Sequence, residues 1–307
     1  MSVAKRLKRS LLFCLKALVI LVLMVGLWYG FRLLQRPART NRQEQLFPGI
    51  TYQRMARNQP RPVMIHLVDI DLQQPGLAAF VTPGQATADR TEIPARLTSA
   101  FLQEFSMNLA VNGSFFYEFR ENTPWDYFPH VGDRVNTVGY SMSDGKAYSE
   151  PEKDWRVLCF MPKNEVQILA QSNCGGRAQQ ALAGNLMLLE SGQRSPDLNT
   201  VKEDKPYPRL AVGLDPGGKH LKLLLVDGKQ KGYSEGLWME EFVTFLQGLG
   251  LDRAVNLDGG GSVTLAVAGK GGPRILNAPI HTHVPMRERP VANHLGFRVS
   301  PQTAVRR

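Results

Sequence analysis

Cysteine is scarce in this sequence, and the motifs of several common enzyme classes are absent from it. The 307 residues include three cysteines, no two of them spaced as Cys-x-x-Cys, which argues against a disulfide scaffold and a cysteine-based zinc site. No Gly-x-Ser-x-Gly elbow occurs, so the sequence does not indicate a serine hydrolase of the usual α/β type. The sequence has a run of three glycines at 259–261, but no lysine follows it as one would in a P-loop. Internal repeats and low-complexity blocks are also missing.

Acidic residues are absent from the first 42 positions. Nine of the 37 Lys and Arg residues lie there, whereas the rest of the chain carries 28 basic and 27 acidic side chains. The net charge of +10 therefore belongs to the N-terminal segment, and the body of the protein is close to neutral. We expect no nucleic-acid partner, because such a partner requires positive charge clustered on the folded body.

One long apolar run, residues 11–31, contains a single charged residue, Lys16. As a helix it would extend ~30 Å, about the thickness of the bilayer hydrocarbon. Trp28 and Tyr29 stand at its far end, where aromatic rings favour the membrane interface. We predict an uncleaved single-pass anchor that contacts the lipid bilayer through these residues. The alternative is a cleaved signal peptide, whose apolar region would be unusually long and which would lack a small-x-small cleavage site here.

Basic residues flank both ends of this run, so the positive-inside rule leaves its orientation open. Lys16 and the terminal amine favour a cytoplasmic N-terminus, which would place the body in an extracytoplasmic compartment, periplasmic or lumenal. Cys159 and Cys174 could pair in such an oxidising compartment. Two free buried thiols fit the spacing equally well.

The sequence predicts four segments. Residues 1–31 form a basic stub and the anchor, and residues 32–62, polar and punctuated by prolines, form a linker. Residues 63–300 form one domain, and residues 301–307 a tail.

Within that domain, short apolar segments between turn residues predict strands at 63–70, 77–81, 109–111, 157–161, 166–169, 186–189, 210–214, 221–226, 254–257, 263–267 and 295–299. Two segments, 92–105 and 239–249, have helical spacing. Many strands with two helices predict an α+β fold: a mixed, strand-rich single domain with few helices, preceded by one transmembrane helix.

The strongest chemical signal is the run from Ala254 to Ser262, in which an apolar strand ends at Asp258 and three glycines follow. Consecutive glycines leave room for a ligand close to the main chain, and their N–H groups can surround an anion. We therefore expect Asp258, Gly259, Gly260, Gly261 and Ser262 to form a site. The alternative is a simple hairpin turn, for which Asp-Gly is a common pair.

Other polar residues stand at strand ends as well. Asn112 and Gly113 end one apolar stretch, and the amide can orient a sugar hydroxyl or a phosphate oxygen, or else form a local turn. Arg209, Arg289 and Asn293 lie beside further strands, where arginine can bind an oxyanion through two hydrogen bonds. Taken singly, each basic residue is more often a solvated surface charge.

Two histidines, His281 and His283, form a His-x-His pair. Such a pair on a strand can bind a metal, but no third ligand follows at a suitable spacing. We therefore expect no metal site and no cofactor.

Seven short motifs together resemble the phosphodiester glycosidase family, in the order in which that family has them. They are Asn112-Gly-Ser-Phe-Phe, Ala183-Gly-Asn-Leu-Met, Arg209-Leu-Ala-Val-Gly, Val226-Asp-Gly-Lys, Gly236-x4-Glu241, Asn256-Leu-Asp-Gly-Gly-Gly-Ser262 and Arg289-Pro-Val-Ala-Asn293. The resemblance extends over about residues 63–299. Leu210 and Trp238 stand where the family usually has threonine, so the substrate pocket is expected to differ in shape.

The resemblance implies hydrolysis of a sugar-1-phosphodiester at the anomeric carbon. Arg209 and Arg289 would hold the phosphate with help from the glycine main chain, Asp258 would be the leading catalytic carboxylate, and Asn112 and Asn293 would orient the substrate. Glu241 is the second catalytic candidate, although it could equally be structural. A phosphodiesterase that cleaves the P–O bond and a binding module for envelope glycans remain alternatives.

Overall fold

A computed structural model describes residues 3–300 of the chain. The predicted tail, residues 301–307, lies outside the described residues, as do Met1 and Ser2. Three α-helices occur in the described part: α1 Val3–Leu34, α2 Thr98–Glu104 and α3 Met239–Gly248. Three short 3-10 helices occur at Pro162–Asn164, Pro196–Thr200 and Gly260–Ser262.

The strands are short and numerous. In the first half of the chain they are β1 Arg42–Phe47, β2 Ile50–Arg57, β3 Val63–Asp71, β4 Leu77–Val81, β5 Ile93–Pro94, β6 Leu109–Asn112, β7 Phe116–Tyr117, β8 Arg120–Glu121, β9 Tyr127–Phe128, β10 Arg134–Thr137, β11 Ser141–Ser143, β12 Lys146–Ser149 and β13 Arg156–Phe160. In the second half they are β14 Val166–Leu169, β15 Gln180–Gly184, β16 Leu186–Glu190, β17 Gln193–Arg194, β18 Arg209–Leu214, β19 His220–Val226, β20 Arg253–Leu257, β21 Leu265–Val267, β22 Arg274–Ile275, β23 Ile280–His281, β24 Val284–Pro285 and β25 His294–Val299.

An antiparallel eight-stranded sheet, in the order β1-β2-β3-β19-β18-β20-β16-β17, is the largest element of the fold. Two five-stranded sheets, β22-β21-β6-β25-β4 and β12-β11-β15-β13-β14, complete the main body. The principal core joins residues of all three sheets, among them Val255, Leu265 and Leu158. Helix α3 packs on the large sheet through a second core that includes Phe242 and Leu246. The expected strand-rich α+β class is thereby confirmed.

The region expected to be a linker is corrected by the structure, because residues 32–62 contain β1 and β2. Strand β2 pairs with β3 along its whole length, from Ile50 opposite Ile70 to Arg57 opposite Val63. The side chains of β1 are exposed or half-buried, as expected at a sheet edge, where polar residues are tolerated. The folded domain therefore begins near Arg42 rather than at residue 63.

The expected helix at 92–105 is shorter in the structure and begins at Thr98. Ile93 and Pro94 instead pair with β10, so the first third of the predicted helix is extended. The helix expected at 239–249 is present as α3, one residue shorter at its end.

Helix α1 contains an apolar stretch, Ser10–Leu34, with a mean hydropathy of 2.6 and no buried residues. By length and composition this stretch fits either a membrane span or a signal sequence. Its last turn contacts the domain, since Arg32 Nε donates to the Pro285 carbonyl oxygen at 3.0 Å. Farther along, the Arg36 guanidinium lies 4.4 Å from the centre of the Tyr233 ring. The chain that leaves the helix is therefore held against the domain.

Cys159 and Cys174 form a disulfide, which decides between the two readings that their spacing left open. The bond joins β13 to the loop before β15, and both residues belong to a small core with Met142 and Met161.

Candidate active site

Asp258 stands directly after β20, where three segments of chain meet. Its main-chain N–H donates to the Gly113 carbonyl oxygen at 3.1 Å, and its own carbonyl oxygen accepts from Asn112 Nδ2 at 2.7 Å. The same Asn112 side chain accepts the Thr264 N–H at 3.2 Å. The Asn112-Gly113 motif, which lies far from Asp258 in sequence, thus fixes the main chain that carries the Asp258 carboxylate.

A cavity of about 500 Å³ opens beside this point. It brings together four of the residues expected at the site: Asp258, Gly259, Arg209 and Arg289. The rest of the lining comes from four loops and strand ends and comprises Phe115, Phe116, Phe119, Asn185, Leu186, Thr200, Val201, Glu203, Asp204, Tyr207, Pro208, Met239 and Asn256. Three carboxylates, those of Asp258, Glu203 and Asp204, and two guanidinium groups therefore line a partly apolar chamber.

The glycine run is tightly enclosed, and side chains would not fit there. A Cβ at Gly261 would lie 2.6 Å from Arg289 Nη2, and one at Gly259 would lie 2.8 Å from the Pro208 carbonyl oxygen. Gly260 has a φ of +62°, a conformation that favours glycine. The three glycines therefore let Arg289 and the strand of Arg209 approach Asp258 closely.

Asp258 titrates close to neutrality. Burial raises the pKa of its carboxyl from 3.8 to about 6, although the positive charge of Arg289 and hydrogen bonds from Ser262 and Gly259 act in the opposite direction. A carboxylate with such a pKa can accept or donate a proton near physiological pH. A strongly raised carboxyl pKa in a cavity is a common mark of a functional site.

Arg289 is held by a ring of polar partners at the inner side of the cavity. Its Nη1 donates to Ser262 Oγ at 3.2 Å, its Nε donates to His281 Nδ1 at 3.3 Å, and its Nη2 is paired with Glu121. Its guanidinium also lies 4.4 Å from the centre of the Phe119 ring. The cation is therefore oriented in advance of any ligand.

Glu121 is a member of this ring that sequence reasoning missed. Burial alone would raise the pKa of its carboxyl, but Arg289 and the Thr282 N–H together lower it, so Glu121 is ionised. It ends the short strand β8, and neither a glycine run nor a regular strand pattern in the local sequence marks it.

His281, considered above as half of a metal-binding pair, instead accepts a hydrogen bond from Arg289. Burial and the neighbouring arginine lower its pKa to about 3, so the ring is neutral and its proton resides on Nε2. Among residues 10–300 no group of three His, Cys, Asp or Glu side chains is placed to hold a metal ion.

Arg209 also lines the cavity and stands at the start of β18. It is paired with Asp204, and its Nε donates to the Leu237 carbonyl oxygen at 2.8 Å. Burial lowers the pKa of the guanidinium, yet arginine stays charged across the physiological range. Asp204 was also missed in the sequence, because it belongs to an irregular loop.

Three expected substrate-binding residues support the site instead of lining it. Asn112 and Asn293 are completely buried, and Asn293 Oδ1 accepts the Ser114 N–H at 2.8 Å. A Cβ at Gly113 would lie 2.4 Å from that same oxygen. These residues hold the main chain below Asp258, and the expectation that they orient the substrate is corrected accordingly.

Glu241, the second catalytic candidate, does not line the cavity. It is the third residue of α3, where its carboxylate accepts the Trp238 N–H at 2.9 Å and pairs with Arg61. This is the capping arrangement that satisfies free N–H groups at a helix start. The geometry therefore favours a structural role for Glu241, at the start of α3, over a catalytic one.

Three solved structures share this fold. A hypothetical protein from Synechocystis aligns over 86% of this chain at 13% identity, with a TM-score of 0.60. The zebrafish N-acetylglucosamine-1-phosphodiester α-N-acetylglucosaminidase catalytic domain, auto-inhibited by its pro-peptide, aligns at 17% identity over 87% of each chain, with a TM-score of 0.59. A putative exported protein from Burkholderia pseudomallei aligns at 11% identity over 86% of this chain and 97% of its own, with a TM-score of 0.58. At these identities the likeness is one of fold.

This chain spans 64% of the length of the Synechocystis protein. No curated protein matches the sequence. The sequence profile of the phosphodiester glycosidase family, however, matches residues 105–298, a stretch that includes Asp258, Arg209 and Arg289. The match covers well over half of the chain, and the protein therefore belongs to the phosphodiester glycosidase family.

Proposed function

We propose that the protein is a membrane-anchored hydrolase that cleaves a sugar-1-phosphodiester at the anomeric carbon, with cell-envelope glycans as its substrates. The observation that carries this proposal is the single cavity shared by Asp258, Arg209 and Arg289. Family and fold support a hydrolase of this type.

The chemistry of the substrate fits the side chains available. Cleavage of the C–O bond releases a phosphate monoester, which is a weak base and needs little protonation as it leaves. It needs stabilisation of its negative charge, which Arg209 and Arg289 supply from the lining of the cavity. The main chain at Gly259 borders the same space.

Asp258 acts at the carbohydrate carbon. With a pKa of about 6 it is mostly ionised at neutral pH. It then either activates the attacking water or stabilises the positive charge that develops at the anomeric carbon. Activity should consequently fall as the pH is lowered through about 6.

The membrane placement rests on independent features. The apolar stretch of α1 is long enough to span the bilayer, and the Cys159–Cys174 disulfide is typical of proteins in oxidising compartments. Both support a single-pass protein with a cytoplasmic N-terminus, residues 11–31 in the bilayer and an extracytoplasmic catalytic domain.

A substrate screen tests the proposal. The full-length protein in detergent is incubated with sugar-1-phosphodiesters, N-acetylglucosamine-1-phosphate methyl ester first, with and without a chelator, and release of free sugar is followed. We expect release by the wild type and a loss of at least about 100-fold in the Asp258→Asn variant, the scale of general acid–base catalysis. Tight binding of every diester without release of sugar would instead indicate a glycan-binding module.

A further inference from the structure

The exposed apolar side chains of the folded domain are concentrated on one segment. Within residues 35–300, five large apolar side chains are exposed, and four of them, Tyr117, Phe119, Trp125 and Val131, lie between residues 116 and 132. We call residues 116–132 the aromatic loop. Trp125, at 81% exposed, is the most prominent of these side chains. Apolar side chains clustered on a surface in this way mark a site of interaction.

The aromatic loop is attached to the hairpin β23–β24 and the residues that follow it. Arg287 Nη1 donates to the Pro124 carbonyl oxygen at 2.7 Å, and its guanidinium lies 4.6 Å from the centre of the Tyr127 ring. The Thr282 N–H donates to Glu121. Three contacts of different kinds therefore fix the position of the loop on this hairpin.

The same hairpin contacts the end of the apolar helix. Arg32 donates to the carbonyl oxygens of Pro285 and Met286, and Arg32 follows Trp28 and Tyr29 by less than one and a half turns. The aromatic loop and the last turn of α1 thus both contact this short hairpin and the residues that follow it. Where the helix leaves a bilayer, the loop is close to the surface of that bilayer.

We infer that the aromatic loop inserts into the membrane interface beside α1, so that the occupant of this apolar surface is the lipid bilayer. Tryptophan and tyrosine side chains favour this zone because one part of the ring is apolar and another is polar. The loop also carries Glu118, Arg120 and Asp126, which limits its insertion to the headgroup region. This inference rests on the membrane anchoring given under Proposed function.

The position of the loop indicates the class of substrate. Phe119 lines the cavity and packs against the Arg289 guanidinium, so the apolar surface continues from the loop into the chamber. A substrate reaching the cavity along this surface has its phosphate at Arg289 and its non-sugar group towards the bilayer. The structure therefore assigns the protein a glycosyl phosphodiester whose phosphate is esterified to a lipid chain.

The insertion is tested with single-tryptophan variants of the full-length protein in liposomes that contain brominated phosphatidylcholine, which quenches fluorescence over a short range. The chain has four tryptophans, and each variant keeps one of them while the others are changed to phenylalanine. Trp125 reports on the loop and Trp28 on the anchor. Trp155, which packs on Phe115 inside the domain, is the control.

We expect strong quenching of Trp28 and Trp125 and little quenching of Trp155. If Trp28 is quenched but Trp125 is quenched no more than Trp155, the inference is overturned while the anchor stands. If Trp28 is also unquenched, the anchoring itself fails, and the inference falls with it. If Trp125 is equally protected from quenching in liposomes and in detergent, and the protein is also a dimer in solution, the apolar surface is covered by a second copy of the chain instead of the bilayer.

The substrate class is tested with Trp125→Ala. N-acetylglucosamine-1-phosphate esterified with dodecanol is presented in liposomes, and the methyl ester is presented in solution. We expect kcat/KM to fall about tenfold for the dodecyl ester and to stay unchanged for the methyl ester, with an unaltered melting temperature because Trp125 is exposed. Equal effects on the two esters would overturn the assignment. Absence of hydrolysis of both esters by the wild type would count against the proposed function as well.

Discussion

Asn112 and Asp258, which are 146 residues apart in sequence, are joined by a hydrogen bond of 2.7 Å from the Asn112 amide to the Asp258 carbonyl oxygen. Asn112 ends β6 of one sheet, and Asp258 follows β20 of another. The bond therefore ties the carboxylate-bearing turn to both sheets of the core. The position of the Asp258 turn therefore depends on a buried amide that does not line the cavity.

Replacing Asn112 with aspartate removes the amide donor and places a negative charge next to the Asp258 carbonyl oxygen. A buried acceptor left without its partner costs about 1–3 kcal/mol, so we expect the free energy of unfolding to fall by at least that amount. We also expect kcat to fall while KM changes little, since this buried side chain does not line the cavity. Denaturant unfolding and steady-state kinetics measure both effects, with the exposed Asn173→Asp as the control. If Asn112→Asp raises KM and leaves kcat unchanged, Asn112 binds the substrate after all.

Asp258→Asn should stabilise the protein at neutral pH. A carboxyl whose pKa is about 6 when folded and 3.8 when unfolded makes the folded state less stable by up to about 3 kcal/mol at pH above 6. The penalty shrinks as the pH falls from 6 towards 4 and is absent below 4, where the group is protonated in both states. We expect the variant to exceed the wild type in melting temperature at pH 7.5 and to match it near pH 4.

Asp252→Asn is the matched control, because it removes a half-buried carboxyl from the beginning of the segment that carries Asp258. It should leave the melting temperature unchanged at both pH values. Equal or lower stability of Asp258→Asn at pH 7.5 would mean that the Asp258 carboxylate is not destabilised by burial.

Glu121→Gln should strengthen the electrostatic effect of the Arg289 charge on Asp258, because Glu121 neutralises that cation. With the pair broken, the positive charge lowers the pKa of Asp258, and the acid limb of the kcat/KM profile moves from about 6 to lower pH. Inorganic phosphate should also inhibit the variant several-fold more tightly. Glu118→Gln, an exposed change on the same loop, should alter neither property. If the acid limb of the kcat/KM profile of Glu121→Gln stays at about 6, Glu121 does not influence the pKa of Asp258 through Arg289.

Glu241→Ala tests the structural role of the residue that the sequence made the second catalytic candidate. Loss of the capping contact to the Trp238 N–H should lower the free energy of unfolding by about 1 kcal/mol. We expect kcat to remain within about twofold of the wild type, and Glu241→Gln, which keeps a capping oxygen, to recover most of the stability. A loss of kcat by more than about 100-fold in both variants would return Glu241 to the catalytic machinery.

The sequence was most informative where apolar periodicity and glycine content act locally. All eleven predicted segments contain strands, because alternating or continuous apolar residues reflect burial directly. The run with Asp258 and three glycines predicts a site, since three glycines in succession have few structural uses, and in the structure Asp258 and Gly259 line a cavity with Arg209 and Arg289. Strands β1 and β2 carry mostly polar side chains that are exposed or half-buried, so no apolar pattern predicts them.

The roles of individual polar residues were harder to predict. Asn112 and Asn293 stand where a substrate-binding amide would stand, and only the fold shows that their hydrogen bonds go to the main chain and to neighbouring hydroxyls. Glu121 reaches Arg289 from the short strand β8, and Asp204 reaches Arg209 from a loop. Their positions depend on tertiary contacts that have no counterpart in the local sequence.

The most direct test of the proposed chemistry follows the oxygen of the attacking water. Hydrolysis of a glycosyl phosphodiester by the wild-type protein in ¹⁸O-enriched water, analysed by mass spectrometry of both products, identifies the bond that breaks. Attack at the anomeric carbon beside Asp258 predicts that the label appears on C1 of the released sugar and that the phosphate monoester stays unlabelled. Label in the phosphate would show P–O cleavage and would contradict the account.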